Sequence, residues 1–152
     1  MPEPNLKILI LHGPNLNLTG FREPNIYGKK PLEQINEEIQ DYCSRHKIEV
    51  RILQSNHEGV LIDTIQESKD WVSGIILNGG ALSHYSYALR EACTSIRVPV
   101  IEVHLSNIYS RESFRHFSVI APITVGQIVG FGGYGYILAI KAFQNMQNEV
   151  IS

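Results

Sequence analysis

Little in this chain is built for covalent or metal stapling. Only two cysteines, Cys43 and Cys93, occur among 152 residues, with no CxxC between them. That excludes a disulfide scaffold and a thiolate metal knuckle, and leaves two buried free thiols suited to a reducing cytoplasm. Long hydrophobic runs are lacking too. The apolar stretch in MPEPNLKILILHGPN spans a few residues between prolines and polar groups, too short for a signal segment or a membrane span. A soluble, cytoplasmic chain with no membrane partner is expected. Nor is there an excess of one charge: 13 Lys and Arg stand against 15 Asp and Glu, a net charge of -2, so no basic footprint for nucleic acid is present. Apolar content is ample at 43%, enough for one domain over 1–152 with a proper core. Small, roughly neutral partners suit such a surface.

Short apolar runs alternate with amphipathic ones. Strands are expected at 6–12 (LKILILH, arrested by Gly13-Pro14), 49–55, 74–78 and 99–105, with a shorter fifth at 116–123 (HFSVIAPI). Helices are expected at 31–46, where Leu32, Ile35, Ile39 and Tyr42 share a face, then at 58–72, 82–96 and 125–147. Apolar strands separated by helices make an α/β fold, a doubly wound five-stranded parallel sheet of the flavodoxin-like kind. Ligands then bind beyond the carboxyl ends of the strands. Those ends read HGPNLNL, QSNHEG, LNGGALSH and EVHLSN. Each alone is an ordinary turn or cap, but four rim segments rich in Asn, His, Ser and Gly converge on one edge.

Two other motifs point elsewhere and carry little. GFGGYG (130–135) fits G-x-G-x-x-G, but it stands near the end of the chain rather than in a first βαβ unit. Gly126, Gly130 and Gly133 read better as a small-residue stripe on the last helix. His12, His84 and His104 lack the spacing of a metal site, so no metal is expected.

The loop GFREPNIYG (20–28) is denser in chemistry. An ordinary phenol titrates near 10, so a tyrosine acting as a base needs a nearby cation. At about 4 Å and an effective dielectric near 20 a cation supplies about 4 kcal/mol. Arg22 precedes Tyr27 by five residues, and Pro24, Gly20 and Gly28 suit a tightly folded lid. A plain surface loop with an Arg22–Glu23 pair is the competing account. On the fourth strand, the period of two places Glu102 and His104 on one side, where the carboxylate would orient the imidazole as a general acid. A polar pair satisfying itself at a strand end is the alternative there. The amides of Leu105 and Ser106 offer a seat for a carboxylate. A base and an acid on one rim suit an elimination: a proton leaves beside a carbonyl and a hydroxyl departs protonated.

GPNLNLTGFREPNIYG, LQSNHEGVLID, LNGGALSHYSYALREA, PVIEVHLSNIYSRESFRHFS and VGQIVGFGGYGYILAI, in this order, resemble the type II 3-dehydroquinate dehydratases along essentially the whole chain. The resemblance implies a cofactor-free, flavodoxin-like lyase of the shikimate pathway or of quinate breakdown, assembled as dodecamers of trimers. It would convert 3-dehydroquinate to 3-dehydroshikimate through an enolate. It implies Tyr27 as the base with Arg22 as its activator, Asn15 as the residue that places a water at the enolate oxygen, and His104 with Glu102 as the acid. Asn78 and His84 match substrate-hydroxyl binders, Leu105 and Ser106 the carboxylate seat, and Arg115 a ring-hydroxyl grip. Arg111 lies in the same charged segment in a supporting role, as Glu23 does in the lid. Glu91 stands where the family carries an aspartate reaching a neighbouring subunit's site. Gly79, Tyr109, Thr19 and Phe21 are further departures, none of which removes an atom the chemistry needs. Two rivals stay open: a Schiff-base dehydratase using one of the lysines, with Lys29 and Lys30 beside the lid, and a binding module without turnover.

Overall fold

The computed structural model describes residues 5–151. Its strands are β1 (Lys7–His12), β2 (Glu49–Gln54), β3 (Gly74–Asn78), β4 (Val100–His104) and β5 (Gly126–Val129), all parallel in the order β2-β1-β3-β4-β5. Between and after them run α1 (Pro24–Tyr27), α2 (Leu32–Arg45), α3 (Glu58–Glu67), α4 (Tyr87–Ser95) and α5 (Tyr134–Ile151). The strand period sorts the core into two layers. Ile8, Ile10, Ile76, Ile101 and Val103 face α2 and α5, packing on Ile35, Ile39, Tyr136, Ile140 and Phe143. Leu9, Leu11, Ile75, Leu77 and Val100 face α3 and α4, packing on Leu61, Ile65 and Leu89. A sheet covered on both sides is why its central strands are mostly apolar, with buried polar side chains only toward their carboxyl ends, at His12, Asn78, Glu102 and His104.

Local chemistry sets the helix ends. Glu33 in the first turn of α2 and Arg45 in its last complement the helix dipole. The region expected as one helix at 82–96 divides into a 3-10 turn, Gly80–His84, and α4, because the Ser86 hydroxyl accepts from the Leu89 amide and starts a new helix there. Helix α3 likewise ends at Glu67, short of the expected 72.

The last third differs from expectation. HFSVIAPI is not a strand: Ser113–His116 and Ala121–Ile123 are single 3-10 turns. The Ser118 hydroxyl accepts from the amides of Ile120 and Ala121 and curls the segment, and Pro122 has no amide hydrogen to give a ladder. Val119 and Ile120 are buried all the same, which is why the run looks like a strand. The fifth strand is Gly126–Val129, in register with β4 from Ile101↔Gly126 to His104↔Val129. Helix α5 therefore begins at Tyr134 rather than near 125, and the proposed glycine stripe does not exist on it. Gly126 opens β5, and Gly130, with φ 95°, turns the chain against Asn107. Gly133 meets α2 so closely that an added Cβ would stand 2.8 Å from Ile35 Cγ1.

Both cysteines are free and buried, and burial pushes the thiol of Cys43 up to about 11 and that of Cys93 up to about 12. Among the described residues no helix is long and apolar enough to cross a membrane.

Candidate active site

β1 and β3 are neighbours, and the connection leaving β1 runs outward to β2 while that leaving β3 runs the other way to β4, so a crevice opens at the carboxyl ends of β1 and β3. An open cleft occupies that position. Its lining includes Asn15, Arg22, Tyr27, Asn78, His84, His104, Leu105, Ser106, Arg111 and Arg115. Glu102 lies behind His104 with no exposed surface, Glu23 is exposed on the lid, and Glu91 is exposed on α4, so none of these three lines the cleft.

The lid is a single helical turn. Glu23 starts it in the left-handed region at φ 42°, Pro24 supplies a preset first helical residue, and Gly28 ends it at φ 95°. This turn aims the half-buried Tyr27 ring into the cleft between two guanidinium groups. The Arg22 carbon Cζ lies 5.5 Å from the ring centroid and that of Arg111 lies 4.8 Å away. Arg22 also stands 4.0 Å from Glu23, both side chains exposed, a contact worth little. Arg111 is the better sheltered cation, with a side chain 9% exposed against 41% for Arg22. Arg111 Nη1 donates to Ser106 Oγ at 3.1 Å, and its buried Nε makes no hydrogen bond but lies 3.9 Å from the Glu112 carboxylate.

Across the cleft, Glu102 and His104 share one side of β4 as the strand period requires, with Nε2 2.5 Å from the carboxylate. Two residues that the sequence reading missed complete the carboxylate's shell. Ser118 Oγ donates to Glu102 at 2.8 Å, and Gln127 Nε2 donates to it at 3.1 Å. Register places Gln127 opposite Glu102, but that signal exists only once β5 is correctly located. The His84 ring is nearly parallel to that of His104, with centroids 6.1 Å apart, and its Nδ1–H donates to the Phe117 carbonyl at 2.8 Å. Burial, helped by the nearby His104 and Arg115, lowers the His84 pKa, so its Nε2 is a free acceptor at neutral pH. Arg115 is held by Glu112, its Nε donating at 2.7 Å.

Asn15 takes φ 70° at the β1 turn, and its amide donates to Asn56 Oδ1 at 2.9 Å. His12 does not join the other histidines. It is buried on the α5 side of the sheet, where it meets the Tyr136 hydroxyl and Asn36.

Fold and cleft together define a small α/β protein whose crevice, at the carboxyl ends of its strands, is lined by a tyrosine, two histidines and three arginines. The family model of class II dehydroquinases matches residues 6–144. A 3-dehydroquinate dehydratase of Dictyoglomus turgidum is 58% identical over 137 residues, covering 90% of this chain and 94% of that one. The Bacillus subtilis 3-dehydroquinate dehydratase is 53% identical over 139 residues, covering 91% and 94%. The crystal structure of a type II dehydroquinase from Butyrivibrio crossotus superposes with a TM-score of 0.89 at 50% identity, over 95% of this chain and 98% of that one. The chain belongs to the class II dehydroquinase family.

Proposed function

We propose that this chain is a 3-dehydroquinate dehydratase, a hydro-lyase that works through an enolate. The observation that carries the reading is the pairing of two opposed devices in one cleft: a tyrosine flanked by two guanidinium groups, and a histidine backed by a buried carboxylate. Tyr27, as phenolate, takes the proton from C2, and the electron pair moves into the carbonyl to form the enolate. Its collapse expels the C1 hydroxyl, which receives a proton from His104 and leaves as water. The base gains one proton and the acid loses one, so the net products are 3-dehydroshikimate and water.

The guanidinium groups of Arg22 and Arg111 stabilise the phenolate. Glu102 orients the His104 ring through the hydrogen bond between them. The substrate carboxylate sits on the amides of Leu105 and Ser106. Asn78, the His84 Nε2 acceptor and Arg115 hold the ring hydroxyls, while Asn15 places a water at the enolate oxygen. Both aromatic biosynthesis and quinate breakdown employ this chemistry, and the buried thiols suit a reducing cytoplasm. Twelve chains assemble as four trimers. The exposed Tyr85, Tyr87, Phe114, Phe117, Phe131 and Tyr134 supply apolar surface for that assembly, and Glu91, exposed on α4, is the residue offered to a neighbour's cleft.

A Schiff-base route is disfavoured because no lysine is among the residues lining the cleft, and Lys30 is engaged by Glu38 at 2.8 Å. The test is turnover of 3-dehydroquinate, followed by the rising ultraviolet absorbance of the conjugated enone. Removal of the acid in His104→Ala should cut kcat by roughly 100-fold or more. Wild-type protein that binds the substrate without turning it over would make the chain a binding module instead.

A further inference from the structure

Tyr136 is fully buried on α5, and no step of the reaction described above uses it. Its hydroxyl ends where β1 and β3 finish side by side. Register pairs His12 with Asn78 there, and both continue the rows of side chains, Ile8–Ile10 and Ile76, that face α5. The hydroxyl stands 2.8 Å from His12 Nδ1 and 2.9 Å from Asn78 Nδ2. On its other side the His12 ring places Nε2 2.9 Å from Asn36 Oδ1 on α2.

The direction of each hydrogen bond follows from the one before it. An amide oxygen only accepts, so His12 carries its hydrogen on Nε2 and leaves Nδ1 as an acceptor. Tyr136 has a single hydroxyl hydrogen and must give it to His12. Its lone pairs then face Asn78, which must present an N–H to them. The Asn78 Oδ1, at the other end of the amide, accepts from the Gly80 amide at 3.2 Å. Asn78 is 2% exposed and still lines the cleft. What its amide shows to a ligand is the remaining N–H and the remaining oxygen lone pair, in one orientation. Turning the amide over would bring two donors to face each other at Gly80 and two acceptors at Tyr136.

We propose that Tyr136 is a positioning residue for the substrate: through the chain Asn36, His12, Tyr136 and Asn78, contributed by α2, β1, α5 and β3, it fixes the face of the Asn78 amide that a substrate hydroxyl meets. The inference rests on the reading of Asn78 as a hydroxyl binder. It also explains polar side chains at two buried, core-facing positions in an otherwise apolar layer. The imidazole stays neutral because burial drives its pKa down to about 4, so the chain keeps one polarity across the physiological range. The acidic and basic groups of the cleft do not break it, since the Asn36, Tyr136 and Asn78 partners occupy both ring nitrogens and the hydroxyl.

The test is a double-mutant cycle between Tyr136→Phe, which removes one oxygen and keeps the ring, and Asn78→Ala, with kcat and KM for 3-dehydroquinate measured on folded protein. Tyr136→Phe alone should raise KM about three- to tenfold, the span of one neutral hydrogen bond, with kcat changed less than about twofold. In the Asn78→Ala background the same substitution should leave KM where Asn78→Ala alone puts it. A purely structural hydroxyl would instead lower the active fraction with KM fixed, or add its effect in full to that of Asn78→Ala, and either result overturns the inference. If Asn78→Ala is itself silent, the reading of Asn78 as a binder fails and this inference with it; if it is costly while Tyr136→Phe is silent, the inference alone fails. Should Tyr136→Phe not fold, Asn36→Leu, which releases the His12 tautomer, takes its place in the same cycle with the same expected and contrary results.

Discussion

Acid should weaken this fold through one imidazole well before its carboxylates are protonated. His12 has no exposed surface, and burial, only partly offset by its hydrogen bond to Asn36, lowers its pKa from 6.5 to about 4. The unfolded chain therefore takes up a proton near pH 6.5 that the folded chain refuses until about pH 4. The stability tied to this group is complete above pH 6.5, declines as pH falls through the window between the two values, and is flat below it. At about 1.36 kcal/mol per unit the full loss is about 3 kcal/mol, and most of it has occurred by pH 4.5. Against a typical stability of roughly 5–15 kcal/mol this is a large share. His84, also lowered, contributes in the same direction, and Glu38 and Glu112, held low by Lys30 and Arg115, act only at more acid pH. The His12 share is isolated by comparing urea midpoints of the wild type and His12→Gln at pH 7.5, 6.5, 5.5 and 4.5. The variant should start less stable but lose about 2–3 kcal/mol less between pH 7.5 and 4.5. Parallel profiles for the two proteins would refute the argument.

Two further outcomes are expected from side chains around the acid and the base. Arg111→Gln should depress kcat more than Arg22→Gln, because the two guanidinium groups are similarly close to Tyr27 but Arg111 is far better shielded from water. The Arg111 loss should exceed the Arg22 loss at neutral pH, and an inverted ranking would count against the shielding argument. Ser118→Ala removes the 2.8 Å donor to Glu102 and the acceptor that curls residues 118–121. It should cost about 1–3 kcal/mol in thermal unfolding and lower kcat severalfold with KM nearly constant, since Glu102 acts on His104 rather than on the substrate.

Legibility followed burial. β1, β3 and β4 are covered on both faces and read as largely apolar runs, so their positions and parallel sense were plain in the sequence. β5 is a half-buried edge strand of sequence GQIV, less apolar than the VIAPI segment before it. Hydrophobicity alone therefore chose the wrong segment, and the C-terminal helix and the glycines inherited the error. Asn15, Asn78, His104, Leu105 and Ser106 were legible because they sit within a few positions of strand ends, whereas Arg22 and Tyr27 stood out by the density of chemistry in their loop. Arg111 was visible as a charge, but its place over Tyr27 depends on the 3-10 turns of 108–116, which no period announces. The buried chain through His12 was invisible for a different reason: its bonds span 24, 58 and 124 residues and join four elements. A lone histidine at the end of an apolar strand was the one hint, and the sequence offered no partner for it.

The enolate mechanism depends first on its base, Tyr27. Tyr27→Phe removes one oxygen from a half-buried ring on the lid and leaves the cations, His104 and Glu102 in place. Enone formation from 3-dehydroquinate should be rapid in the wild type and reduced by at least about 1,000-fold in a folded Tyr27→Phe protein. A folded variant that keeps wild-type turnover would show that another group takes the C2 proton, and the mechanism built on this cleft would be wrong.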